Sequence, residues 1–123
     1  MRAINLITEE VPPLTHSDSG EKTLNWMEEF KVSHLPVLKY GKFVGVVSES
    51  DILDKMDIDK TLDELFQHLP RPYVLDSDHI YQVISRISEL KLTVMPVLDD
   101  NEKYLGCIPM QHLIILIANT GSI

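Results

Sequence analysis

The stretch Val32-Ser33-His34-Leu35-Pro36-Val37-Leu38, followed after a polar turn by Phe43-Val44-Gly45-Val46-Val47-Ser48-Glu49-Ser50-Asp51, decides how this chain is read. Two apolar runs of strand length flank Tyr40-Gly41-Lys42, which predicts a β-hairpin with Pro36 near a strand start, where its missing N–H is tolerated. Ser48 then opens a helix expected over residues 49 to about 55. The same pattern returns 60 residues later, where Pro96-Val97-Leu98 aligns with Pro36-Val37-Leu38. With Glu102 taken as an insertion, Tyr104-Leu105-Gly106 aligns with Phe43-Val44-Gly45 and Cys107-Ile108 with Val46-Val47. Pro12 and Pro72, Ser17-Asp18 and Ser77-Asp78, Glu29 and Glu89, and Lys31 and Lys91 extend the match, so two copies of one unit, 1–60 and 61–123, are expected to fill the chain.

Outward from each hairpin lies a preceding amphipathic helix. Ile80, Val83, Ile84, Ile87 and Leu90 follow the i, i+3, i+4, i+7 rule, and Leu24, Met27 and Phe30 mark the same face in copy one. An Asp stands ready to cap each helix, Asp18 with the capping-box partner Glu21, and Asp78 in copy two. The second hairpin turns at Asp99-Asp100-Asn101-Glu102 and is followed by a helix from 110 to about 119, stopped near Gly121. Thr61-Leu62-Asp63-Glu64 predicts a short third helix between the copies, broken by Pro70-Arg71-Pro72. By symmetry, residues 3–10 are expected to play its part for copy one. The expected class is α/β of the α+β kind, each repeat a small sheet with a hairpin flanked by two helices.

Composition narrows the functions. The 123 residues give room for a single core, and 44% hydrophobic with 24% charged residues is the make-up of a folded chain rather than a disordered one. Seven Lys and Arg face eleven Asp and Glu in 1–60, and four face eight in 61–123, so no basic face hides behind the net charge of −8. Direct nucleic-acid binding, which needs clustered cations, is not expected. The lone Cys107 forms no internal disulfide and the N-terminus lacks a signal-peptide pattern, which together predict a cytoplasmic protein. The longest apolar run, 113–118, has six residues against about 20 for a spanning helix, so no membrane partner is expected.

Two copies of helix, x-h-P-V-h, polar turn, h-h-G-h-h and then, in copy one, S-x-x-D at a helix start resemble a tandem pair of cystathionine-β-synthase (CBS) domains, over almost the whole chain. The resemblance implies two pseudo-symmetric repeats packed sheet to sheet, with two clefts for adenosine-containing ligands such as AMP, ADP, ATP or S-adenosylmethionine. It further implies a regulatory module that dimerises and transmits occupancy to an attached or partner effector, without catalysis or a required cofactor. Some such chains, similar to acetoin-utilisation proteins, continue into an ACT-like domain, and Thr120-Gly121-Ser122-Ile123 reads as the start of a further segment.

By resemblance, Asp51 accepts from both ribose hydroxyls and Ser48 contacts phosphate or ribose; the same spacing is also that of an ordinary capping box. The cleft is expected to draw further on Ser33, His34, Val46, Thr93 and the linker Arg71-Pro72-Tyr73. Arg71 is either the phosphate partner or a solvated linker cation; Val46 and Tyr73 either line the adenine pocket or belong to the core; His34 either reaches a phosphate or is a lone satisfied histidine. Copy two carries Pro109 and His112 where copy one has Ser48 and Asp51, which predicts a second cleft without ribose binding, or one in which His112 holds a different anion.

None of His16, His34, His68, His79 and His112 forms a zinc spacing, and no Walker loop, G-x-S-x-G or Cys/His nucleophile pattern is present. Catalytic residues and a metal are therefore not expected. Two functions remain: nucleotide sensing, or a dimerisation and docking module with vestigial clefts. Leu113-Ile114-Ile115-Leu116-Ile117 is apolar around nearly the whole turn, and Trp26 lies off its helix stripe. A homodimer through these helices is expected, the alternative being that they pack on the other copy or on a further domain.

Overall fold

Residues 1–120 are described by the computed structural model, so the stop near Gly121 and the new segment expected at 121–123 lie outside the described residues. The order of elements is a 3₁₀ turn at Ala3–Asn5, β1 Leu14–Thr15, α1 Gly20–Phe30, β2 His34–Lys39, β3 Lys42–Ser48, α2 Glu49–Lys55, α3 Leu62–Leu65, β4 Val74–Leu75, α4 Ile80–Leu90, β5 Val94–Leu98, β6 Tyr104–Pro109 and α5 Met110–Thr120. Two three-stranded sheets result, β1-β2-β3 and β4-β5-β6, each with a parallel first pair and an antiparallel hairpin. The α+β class and the hairpin between two helices are as the sequence predicts.

The two sheets are built to one plan. The ladder slips between Val37 and Leu38 in one hairpin and between Val97 and Leu98 in the other, so that Val44 and Leu105 are bulged at equivalent places. Lys31 and Lys91 close α1 and α4 in the left-handed conformation, and Val32 and Leu92 next to them donate back to Met27 O and Ile87 O at 3.0 and 3.1 Å. In the first hairpin Tyr40 and Gly41, both at positive φ, make the two-residue turn. In the second, Asp99 Oδ1 accepts from Asn101 N and Lys103 N at 2.8 and 2.9 Å, which organises the longer loop.

Two expectations about capping are corrected. Ser19, not Asp18, is the N-cap of α1, accepting from Lys22 N at 3.0 Å, and His79, not Asp78, caps α4, with Nδ1 3.2 Å from Tyr81 N. The aspartates instead clamp the turn one step earlier, where Asp18 accepts from Thr15 N and Asp78 from Leu75 N at 2.8 and 2.9 Å. Burial alone would raise the Asp18 carboxyl, but the Thr15 N–H and the Lys22 ammonium outweigh it and hold the group below its ordinary value. Thr61 and Glu64 form the capping box expected of α3.

Sequence copies and compact units do not share boundaries. One unit is Pro12–Pro72; the other joins Met1–Val11 to the chain from Tyr73 onward. Residues 3–10 thus serve the second copy rather than the first: Ala3 N donates to Asp78 O and Ile4 N to Asp76 O, at 2.8 and 3.1 Å. Ala3 belongs to the core of that unit with Val83, Ile87, Met95, Ile108 and Leu113. In the first unit Leu14, Met27, Leu35, Ile52 and Leu62 are buried. Trp26 is half-buried, edge-on to Phe30 at 6.0 Å with Lys22 Nζ 4.6 Å from its ring centre. Among the described residues no helix is long and apolar enough to cross a membrane.

Candidate functional site

The hairpin of the first unit delivers the predicted residues to one place. His34 opens β2 and Ser48 closes β3, and the antiparallel register pairs them directly. Ser33 O accepts from Glu49 N at 2.9 Å, so the residue before β2 fixes the first amide of α2. Ser48 is the N-cap of α2, its hydroxyl accepting from Asp51 N at 3.2 Å and lying 3.3 Å from Ser50 Oγ. Ser33, His34, Ser48 and Asp51 are thereby gathered at one end of the sheet.

The chemistry of this cluster follows from unequal exposure. The Asp51 side chain is exposed and offers two acceptor oxygens, whereas His34 and Ser48 are half-buried. Burial pushes the His34 imidazole below the ordinary histidine value, and the Asp51 carboxylate partly offsets that shift. A half-buried, neutral imidazole beside an exposed carboxylate is suited to a neutral polyol edge, with Asp51 as acceptor.

Other predicted residues stand apart. Val46 is buried on β3 and donates its N–H to Pro70 O at 2.8 Å, which ties the interrepeat segment to the strand. Arg71 lies at the other end of β3, its Nε donating to Phe43 O at 3.3 Å and its guanidinium 5.4 Å from the Phe43 ring centre. Phe43 stands near the start of β3 and Ser48 at its end, so the Arg71 side chain is directed to the end of the strand opposite Ser48. Pro72, the last residue of this unit, is half-buried.

Tyr73 and Thr93 belong to the second unit, both half-buried. There Thr93 O accepts from Met110 N at 2.8 Å and Val94 pairs with Pro109, repeating the Ser33–Glu49 bond and the His34–Ser48 pair but with no hydroxyl at the position of Ser48. Pro109 is buried, and His112 stands with Nε2 3.8 Å from Glu10 Oε2. Glu10 carried no signal in the sequence, because 102 residues separate it from His112. Cys107 is buried and its thiol is pushed up to about 12 by that burial, so no reactive thiolate forms. Among the described residues no group of three or more His, Cys, Asp or Glu could hold a metal ion.

Comparison with known proteins shows the family and the fold. The family model described as the CBS domain matches residues 3–58 and again 62–119. A 33.4 kDa protein of a ribosomal RNA operon in Thermofilum pendens is 26% identical over 97% of the chain, and the chain spans 47% of that relative's length. A CBS domain pair/ACT domain protein from Thermotoga maritima has a similar structure, with a TM-score of 0.82 at 22% identity and 98% of each chain covered. Two further structures cover 98% of both chains: CBSX2 in complex with AMP, with a TM-score of 0.77 at 23% identity, and a CBS domain pair in complex with 5′-methylthioadenosine and S-adenosyl-L-methionine, with a TM-score of 0.73 at 21% identity. At these identities the likeness is one of fold.

Proposed function

The chain belongs to the CBS domain family, and on that premise we propose that it is a regulatory module which binds an adenosine-containing ligand at Asp51 of the first repeat and passes on its occupancy as a conformational change. One observation carries this reading: Ser48 caps α2 while the carboxylate of Asp51 remains exposed at the end of the sheet that also holds exposed Ser33 and half-buried His34. Two carboxylate oxygens suit the vicinal hydroxyls of a ribose. Similar folds hold AMP in one case and 5′-methylthioadenosine with S-adenosyl-L-methionine in another, which supports the ligand class. The role is binding rather than catalysis, and a ligand acts here only through different affinities for two states of the module.

The second repeat is proposed not to hold a ribose. Pro109 has no hydroxyl, and a neutral imidazole at His112 cannot accept from two hydroxyls at once. The ligand is AMP, ADP, ATP or S-adenosylmethionine, and the regulated effector is an attached domain or a partner protein. Since the chain spans about half of its curated relative, the effector is sought first in the remainder of such proteins.

A second reading, a dimerisation and docking module indifferent to nucleotides, is favoured by Ile114 and Ile115, which stand 55% and 57% exposed on α5. Thermal unfolding of nucleotide-free protein with each of the four ligands separates the two. At least one ligand raises the midpoint under sensing; if none of the four does, sensing is rejected and docking stands.

A further inference from the structure

The first unit contains a pocket whose lining includes none of Ser33, His34, Ser48 and Asp51. It has a volume of about 270 Å³, lies between β2, β3 and α3, and has Val44, Leu62 and Phe66 as its apolar wall and His16, Lys39 and Asp63 as its polar one. Its polar wall is rigidly set by the backbone. His16 N donates to Leu38 O, and His16 O accepts from Asp63 N, both at 2.9 Å, so β2 and α3 hold the histidine between them. The Tyr40 ring, 4.9 Å away centre to centre, flanks the imidazole.

Two features of this wall point to a ligand. His16 lines the pocket and its Nδ1 is buried without a hydrogen-bond partner, so turning the ring to bring this nitrogen to a polar ligand atom costs Nδ1 no existing hydrogen bond. Lys39 Nζ and Asp63 Oδ1 pair at 3.0 Å with side chains 39% and 51% exposed, and so exposed a pair opens at little cost. Histidines aside, these two are the charged residues of the pocket. A simple anion would bring a like charge to Asp63, and a simple cation would do so to Lys39. A zwitterion satisfies both.

We infer that this pocket binds an apolar α-amino acid, with the carboxylate on Lys39 and His16 Nδ1–H, the ammonium on Asp63, and the side chain against Val44, Leu62 and Phe66. A volume of about 270 Å³ leaves room for a small aliphatic amino acid such as leucine. The module would then report on two unrelated small molecules.

The test is a titration of the ¹⁵N-labelled full chain with L-leucine to about 10 mM, followed by NMR. Saturable shifts are expected at the amides of Lys39, Val44 and Asp63. The half-ligands 4-methylpentanoate and 3-methylbutylamine should bind about tenfold more weakly or worse, since each loses one charged contact. Lys39→Met and Asp63→Asn should each weaken leucine binding by a similar factor. No saturable shift, equal affinity for either half-ligand, or undiminished binding by Lys39→Met with a dispersed spectrum would overturn the assignment. The half-ligand comparison uses the unaltered protein and so stands even if a variant unfolds.

Discussion

A methyl group on Gly45 would lie 2.5 Å from Leu69 Cβ and 2.7 Å from Pro70 O, so β3 and the segment after α3 meet with no room for a side chain. Val46 N, donating to Pro70 O at 2.8 Å, draws the two together. The second unit repeats the device with the N-terminal segment: Gly106 abuts Ile7, and Thr8 N donates to Cys107 O at 3.1 Å. The glycine shared by the two hairpins is therefore the landing place of a distant stretch of chain.

Gly45→Ala is expected to destabilise the protein by about 2 kcal/mol or more, because the displaced atoms include backbone. Gly41→Ala has open space and loses about 1 kcal/mol from its positive φ alone. Urea unfolding of both variants checks this. Equal losses would mean that the contact with Leu69 is not tight.

How much was legible follows from which signals are local. The hairpins, α2 and the Thr61–Glu64 capping box all lie within a few residues of their sequence cues, and the structure has them where the pattern puts them. β1 and β4 are two residues long, too short to show any period. The caps of α1 and α4 fall one residue beyond the aspartates, since Ser-Asp-Ser and Ser-Asp-His each offer neighbouring acceptors and only the turn geometry chooses. The partnership of residues 1–11 with the second copy, and the pocket around His16, depend on pairing across tens of residues that no spacing announces.

Ser48→Ala should cost about 1 kcal/mol through loss of the N-cap of α2, as measured by thermal or urea unfolding. Asp51→Ala should cost less, because its carboxylate is exposed. A larger loss for Asp51→Ala would show that its carboxylate is a structural cap rather than a free acceptor.

Stability should depend on pH through His34. Burial holds its folded value below the ordinary 6.5, so its contribution is complete above that value and is lost as pH falls through the folded one, where the unfolded chain binds the extra proton. Urea midpoints between about pH 7.5 and about pH 5.5 should fall on acidification, less steeply in His34→Gln. Asp51→Asn removes the partly offsetting carboxylate and should steepen the fall.

If α5 carries a homodimer seam, Ile115→Glu places a charge in it and should yield a 14.0 kDa monomer in sedimentation at micromolar concentration. A monomer before the substitution would reject the seam.

The central claim is ligand binding through Asp51, and calorimetry tests it most directly. Protein freed of bound nucleotide is titrated with AMP, ADP, ATP and S-adenosylmethionine, and the same titrations are run on Asp51→Ala. The account predicts one binding event per chain with at least one of the four, weakened in the variant by about 1.5 to 3 kcal/mol for the lost charged hydrogen bonds. Binding of equal strength in Asp51→Ala, or no binding of any of the four to the unaltered protein, would contradict it.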